Sequence, residues 1–244
     1  MDERLKKIID ESDNIVFFGG AGVSTESGIP DFRSENGLYH AKEVYGYRPE
    51  TLISHSFYKQ HPELFFRYYK ENLVCDWAEP NDAHKALAKL EQMGKLKAVV
   101  TQNIDGLHQK AGSKVVYELH GSVLRNHCEK CGKSFPLEYV MDENNCKDYV
   151  PYCDRKNCGG IVKPDVVLYE EMLDEAVMSA ALHAIAAADT LIVGGTSLVV
   201  YPAAGLIQYF NGKNLVLINK DATSLDRQAT LVINDAIGKV MKMD

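Results

Sequence analysis

The run Asn14-Ile15-Val16-Phe17-Phe18-Gly19-Gly20-Ala21-Gly22-Val23-Ser24-Thr25 decides the fold. Its apolar block is too short for a helix and carries no polar alternation, the pattern of a strand buried on both faces. Ahead of it, Leu5, Ile8 and Ile9 at helical spacing predict a helix over residues 2–12, and behind it Gly19-Gly20 breaks the strand into a tight turn. A strand, a glycine loop and then a helix is where doubly wound sheets offer backbone N–H groups to a pyrophosphate. The same loop also serves as a plain strand-to-helix turn. The hydride-transfer fingerprint wants a third glycine where Thr25 stands and a carboxylate closing the second strand, so an ordinary dehydrogenase is disfavoured.

The alternation recurs outward from this stretch. Asn81 starts a helix over residues 82–93 that Gly94 stops, and residues 96–101 and 115–119 read as the next strands. A helix over 174–187, a strand at 190–193, a helix over 202–210, strands at 215–218 and 231–233 and a last helix follow. This predicts an α/β fold with a Rossmann-like doubly wound parallel sheet. Residues 34–77, rich in aromatics and His, read as a helical insert, and residues 123–164 as a cysteine-bearing module without a long periodic element. The expected division is a sheet domain of residues 1–33, 78–122 and 165–244, with the insert and the module forming a smaller domain.

The chain of 244 residues sets 27 bases against 34 acids, net −7, with 45% apolar residues, which fits a globular protein. Such a charge suits neither nucleic acid nor anionic membrane, because both attract Lys and Arg. It suits a basic protein or peptide better. No apolar run reaches the roughly 20 residues of a membrane helix, and the N-terminus lacks a signal-peptide pattern, so a cytoplasmic, monomeric protein is expected.

Five of the six cysteines lie between residues 126 and 163. Cys128 and Cys131 form a knuckle, and Cys153 and Cys158, followed by Gly159-Gly160, form a second pair 21 residues on. Four thiolates without a carboxylate or water ligand favour one closed, tetrahedral structural zinc ion over free buried thiols. Cys146 competes for the third position, and Cys75 reads as a small core residue.

The loop continues as Glu26-Ser27-Gly28-Ile29-Pro30-Asp31-Phe32-Arg33, and the whole run from Gly20 to Arg33 closely resembles the signature of the sirtuins, the NAD-dependent protein lysine deacylases. Thr101-Gln102-Asn103-Ile104-Asp105, Leu119-His120-Gly121, Gly195-Thr196-Ser197 and Ile218-Asn219 follow in the family's order. Each sits at the carboxyl end of a predicted strand, where open α/β sheets bind ligands. Taken alone, the Asn103 and Asp105 pair also reads as a turn or cap, while His120 is a natural acid or base with an ordinary pKa near 6.5.

The resemblance implies NAD as a consumed co-substrate and an acetylated protein or peptide as the partner. His120 would be the general base, with Asn103 beside it. Ile104 and Asp105 would hold the nicotinamide carboxamide, and Phe32 would screen the reacting ribose carbon. Gly20, Ala21, Gly22, Ser24, Thr25 and Arg33 would serve phosphates and ribose hydroxyls from the first loop. Gln102, Gly195, Thr196, Ser197 and Asn219 would do so from the later ones, with Ile237 next to adenine. The implied reaction releases nicotinamide and moves the acetyl group from lysine to ADP-ribose. Val166, Val167, Leu168 and Tyr169 would form an extended segment that pairs with the substrate backbone, and Val199 to Tyr201 would supply the opposite side. The family usually shows Phe-Gly-Glu where this chain has Tyr169-Glu170-Glu171.

Sirtuins that take acidic acyl groups carry a Tyr and an Arg three apart in the insert. Phe65-Phe66-Arg67-Tyr68-Tyr69-Lys70 has no such pair, which favours acetyl and other uncharged groups. ADP-ribosyl transfer to protein and a non-catalytic NAD-sensing module are the rival readings. Bases near the cysteines are interleaved with acids, so no nucleic-acid stripe is expected.

Overall fold

The structure is a computed structural model and describes residues 1–30 and 41–243. Its strands are β1 (Ile15–Gly19), β2 (Leu96–Thr101), β3 (Val116–Glu118), β4 (Gly121–Cys128), β5 (Ser134–Pro136), β6 (Cys146–Lys147), β7 (Val150–Pro151), β8 (Val162–Val166), β9 (Thr190–Gly194), β10 (Asn214–Ile218) and β11 (Leu231–Ile233). Among the described residues, a six-stranded sheet in the order β11-β10-β9-β1-β2-β3 forms the centre, and every pairing in it is parallel. The chain builds outward from β1 to β3 and then returns to β9 on the other side of β1. The strand order therefore reverses at β1, and such a switch point is where open α/β sheets place a crevice at the carboxyl edge.

Because successive side chains of a strand point to opposite faces, β1 serves two cores at once. Ile15 and Phe17 pack with Leu5, Ile9, Leu87 and Leu90 on one face, and Val16 and Phe18 pack with Ala181, Ile185 and Ala203 on the other. The helices on these faces start at side-chain caps: Asp2 for Glu3–Glu11, Asn81 for Asp82–Gln92 and Asp174 for Glu175–Ala187. The 202–210 element is a 3-10 helix, Ala203–Tyr209, instead of an α-helix.

The insert and the cysteine module share a third core. Leu52, Phe57, Tyr58, Phe65, Phe66 and Tyr69 from the insert pack with Val123, Phe135, Val140 and Val162 from the module. The module is more regular than its sequence suggests, since β4 pairs antiparallel with both β5 and β8. A register shift between Ser122 and Asn126 breaks its two-residue period, and Leu124 and Arg125 face outward in succession. That irregularity hides an eight-residue strand from pattern reading.

Candidate active site

The first glycine loop and the loop after β9 lie back to back. Gly22 N–H donates to Gly195 O at 2.8 Å, and Gly20 N–H to Gly194 O at 3.3 Å. A Cβ on Gly22 would stand 2.8 Å from Gly195 Cα, and one on Gly195 would stand 2.3 Å from Val23 N, with φ +58° at Gly195. These glycines are thus required for loop-to-loop approach, a reason separate from phosphate binding. The loop itself is two short 3-10 turns, Ala21–Val23 and Thr25–Ser27, and Thr25 Oγ1 donates back to Gly22 O.

Behind the loop, Ser24 links the two halves of the predicted Asn-Ile-Asp motif. Asn103 Nδ2 donates to Ser24 Oγ at 3.0 Å, and Ser24 Oγ donates to Asp105 Oδ2 at 2.7 Å. Leu107 N–H donates to the other Asp105 oxygen at 2.9 Å. Burial raises the Asp105 pKa above the ordinary carboxylate value, while the bonds from Leu107 and Ser24 pull it partly back. Asn103 and Asp105 do share one direction, and Ile104 turns toward the small-lobe core as alternation predicts.

His120 Nδ1 lies 2.9 Å from Gln102 O. A carbonyl only accepts, so Nδ1 carries the proton and the lone pair of the neutral ring sits on Nε2. Gln102 also donates from Nε2 to Thr196 Oγ1, and Asn219 Oδ1 accepts from Thr196 N–H. The ends of β1, β2, β9 and β10 are thereby tied into one polar edge.

A cavity of about 270 Å³ opens on this edge. It gathers Gly20, Ala21 and Ser24 with Gln102, Asn103, Ile104, Asp105 and His120, and with Gly195, Thr196 and Ser197. Val166, Val167, Leu168 and Tyr169 border the same space. Gly22, Thr25, Asn219, Ile237 and Val199 are not among its lining residues. Ile237 is buried, its Cδ1 against the back of Gly194, and Phe32 and Arg33 lie outside the described residues. Asn219 is more informative: its Nδ2 is buried with no hydrogen-bond partner among the described residues, a donor left over at the end of β10. The donor set therefore fits a dinucleotide.

Sequence reasoning passed over Ile53, Asn72 and Leu73 of the insert and Pro202, all of which also line the cavity, whereas Val200 and Tyr201 line it within the stretch from Val199 to Tyr201 expected opposite the substrate segment. The insert residues are far away in sequence and carried no local signal. Pro202 was reachable as the next residue after that stretch. The extended reading of residues 166–170 also needs correction. The strand ends at Val166; Tyr169 then bridges Ser54, and Glu171 N–H donates to Leu168 O to close a turn. Glu170 sits in that turn at φ +76°, a conformation that favours glycine.

The four cysteines meet as expected. Their Sγ atoms all lie within 4.8 Å of one another, with Cys128–Cys158 at 3.5 Å and Cys131–Cys153 at 3.7 Å. A zinc ion with bonds of about 2.3 Å gives tetrahedral edges of about 3.8 Å. The set thus fits a closed structural zinc site. The wide second spacing is taken up by Asn157 in left-handed backbone, and a Cβ on Gly160 would come 2.6 Å from Cys128 Sγ. Cys146 stands apart, receiving a hydrogen bond from Lys70 Nζ at 3.1 Å.

Comparison with known proteins agrees with this geometry. Residues 20–202 match the Sir2 family. The chain belongs to that family. Two Sir2-family relatives named NAD-dependent protein deacetylase, from Clostridium acetobutylicum and Clostridium perfringens, are each 64% identical to it. The alignments cover 98% of this chain in both cases, and 95% and 96% of the relatives. Among solved structures, a Sir2 with a deacetylated p53 peptide and 3'-O-acetyl ADP ribose superposes with a TM-score of 0.87 at 39% identity, covering 98% of this chain and 95% of that one. A Sir2 with p53 peptide and NAD+ gives a TM-score of 0.85 at 39% identity, covering 99% and 95%.

Proposed function

We infer that this chain is an NAD-dependent protein deacetylase that consumes NAD, releases nicotinamide, and transfers the acetyl group of acetyl-lysine to ADP-ribose, giving O-acetyl-ADP-ribose and free lysine. The observation that carries the reading is the fixed tautomer of His120 in a cavity that also holds the Asn103–Ser24–Asp105 chain.

In this assignment His120 is the general base. The Gln102 carbonyl holds its Nδ1 proton, so Nε2 is the atom that takes a proton from a ribose hydroxyl. Asn103 and Asp105 orient the nicotinamide end, with Ser24 keeping the two in register. Asn219 supplies a donor to the adenosine end. Glycine loops and the Thr196-Ser197 turn hold the remainder of NAD, and the Val166 to Tyr169 segment guides an acetylated protein or peptide toward His120. Cys128, Cys131, Cys153 and Cys158 would hold a zinc ion that ties residues 123–164 together within the small domain, made of the insert and that module, and its role would be structural.

The insert supports the choice of uncharged acyl groups. Phe65, Phe66, Tyr68 and Tyr69 are spent on its core, and Arg67 pairs with Glu71 at 3.1 Å. Among the described residues, no membrane-length apolar helix is present.

The test is mass spectrometry of small products after mixing the protein with NAD and an acetyl-lysine peptide. O-acetyl-ADP-ribose and nicotinamide in equal amounts are expected. Consumption of NAD to free ADP-ribose alone, or label transferred to protein, contradicts the reading.

A further inference from the structure

The groove beside His120 has an uneven charge. Its lining side chains include the carboxylates of Asp105, Glu170 and Glu171, and no Lys or Arg among the described residues. Asp105 lies inside, bonded to Ser24 and Leu107. Glu171 is matched: Lys163 Nζ is 3.2 Å away, His55 Nδ1 is 2.9 Å away, and Leu168 N–H donates to it as well. Glu170 differs from both. It is exposed, and its oxygens accept only from Ser56 N–H at 2.8 Å and Ser56 Oγ at 3.0 Å, with no ion pair to it among the described residues.

Its backbone makes the side chain costlier to keep. At φ +76° glycine is the favoured residue, and a glutamate there is a departure that a turn alone does not call for. Ser56 fixes the carboxylate from the insert side, so the charge has a defined place at the groove rim. Met172, two residues on, is 82% exposed, and Tyr201, which lines the same groove, is 68% exposed. A peptide crossing here meets an exposed carboxylate that has no Lys or Arg partner among the described residues.

We propose that Glu170 is a specificity-determining residue that favours substrates carrying Lys or Arg next to the acetylated lysine. The proposal rests on the deacetylase reading and adds to it a class of substrate: acetylated sites in basic sequence. Coulomb attraction supplies the preference, and its size is that of an exposed ion pair.

Two acetyl-lysine peptides test it, alike except that Arg flanks the acetyl-lysine in one and Glu in the other. Wild type should turn over the Arg peptide with about twofold to fivefold higher kcat/KM at low salt, and the ratio should shrink at about 0.5 M salt as screening takes hold. In Glu170→Gln, which keeps an acceptor for Ser56, the ratio should fall to about one. Glu170→Gly, suited to the backbone, should give the same result independently of the Ser56 clasp. Equal rates for both peptides with wild type, or an unchanged ratio in both variants, overturn the proposal. Turnover of neither peptide overturns the deacetylase reading, and this inference falls with it.

Discussion

The sheet edge and the small lobe reach precise geometry by different means. At the edge, long apolar strands buried on both faces fix where each loop starts, and the polar residues need only bond to one another across the strand ends. In the small lobe the longest strand, β4, is interrupted by a register shift, two others are only two residues long, and order comes from an aromatic core and four converging thiols. Placement by a continuous hydrophobic framework is local and readable. Placement by a metal and a shared core depends on residues far apart in sequence.

Metal removal should separate the two regions most strongly. Cys131→Ser should lose zinc and nearly all activity, because structural zinc contributes on the order of 10 kcal/mol to folding in small zinc domains. Zinc content and limited proteolysis check it: cleavage should begin within residues 121–166. Full zinc content with full activity would mean the thiols are not the lobe's support.

Glycine substitutions sharpen the contrast. Gly195→Ala should destabilise by about 3–4 kcal/mol, since φ is +58° and its Cβ would meet Val23 N at 2.3 Å. Gly132 in the cysteine module also has positive φ, +69°, but open space around it. Gly132→Ala should therefore cost only about 1 kcal/mol. Thermal melts of the two variants compare them directly.

Two histidines extend the comparison into the sheet domain. Leu107-His108 and Leu119-His120 read alike, yet His108 is buried behind β1 with neither ring nitrogen bonded, its ring 4.7 Å from that of His84. Burial lowers the His84 pKa to about 4, and burial with the neighbouring His84 holds that of His108 well below the ordinary histidine value. A folded state that refuses protons the unfolded chain accepts below about 6.5 loses stability as pH falls. Stability should thus be full above pH 6.5 and decline toward pH 4, by about 3 kcal/mol for His84 alone. Denaturant melts across this window measure it, and His84→Phe should flatten the decline.

The smallest effect concerns Cys146. Its sulfur faces Lys70 and the carbonyls of Val140 and Asp142, so Cys146→Ser should leave zinc stoichiometry unchanged and cost about 1 kcal/mol or less. Loss of zinc would return Cys146 to the ligand set.

These differences also explain what the sequence disclosed. The strands, the order of the polar motifs and the four ligands were legible because each rests on local pattern or spacing. The β4–β8 ladder was not, because a bulge interrupts its alternation. Ile53 and Leu73 reached the cavity only through the fold of the insert. The turn at Glu170 went unread because a side-chain-bearing residue stands where backbone geometry prefers glycine.

The central claim is that chemistry resides at the sheet edge on His120, and His120→Ala tests it most directly when compared with wild type for O-acetyl-ADP-ribose formation. General-base catalysis accounts for about 10²–10⁴-fold in rate, so the variant should lose at least 100-fold while its melting temperature stays near that of wild type. A folded His120→Ala protein that forms the product within tenfold of the wild-type rate would contradict the account.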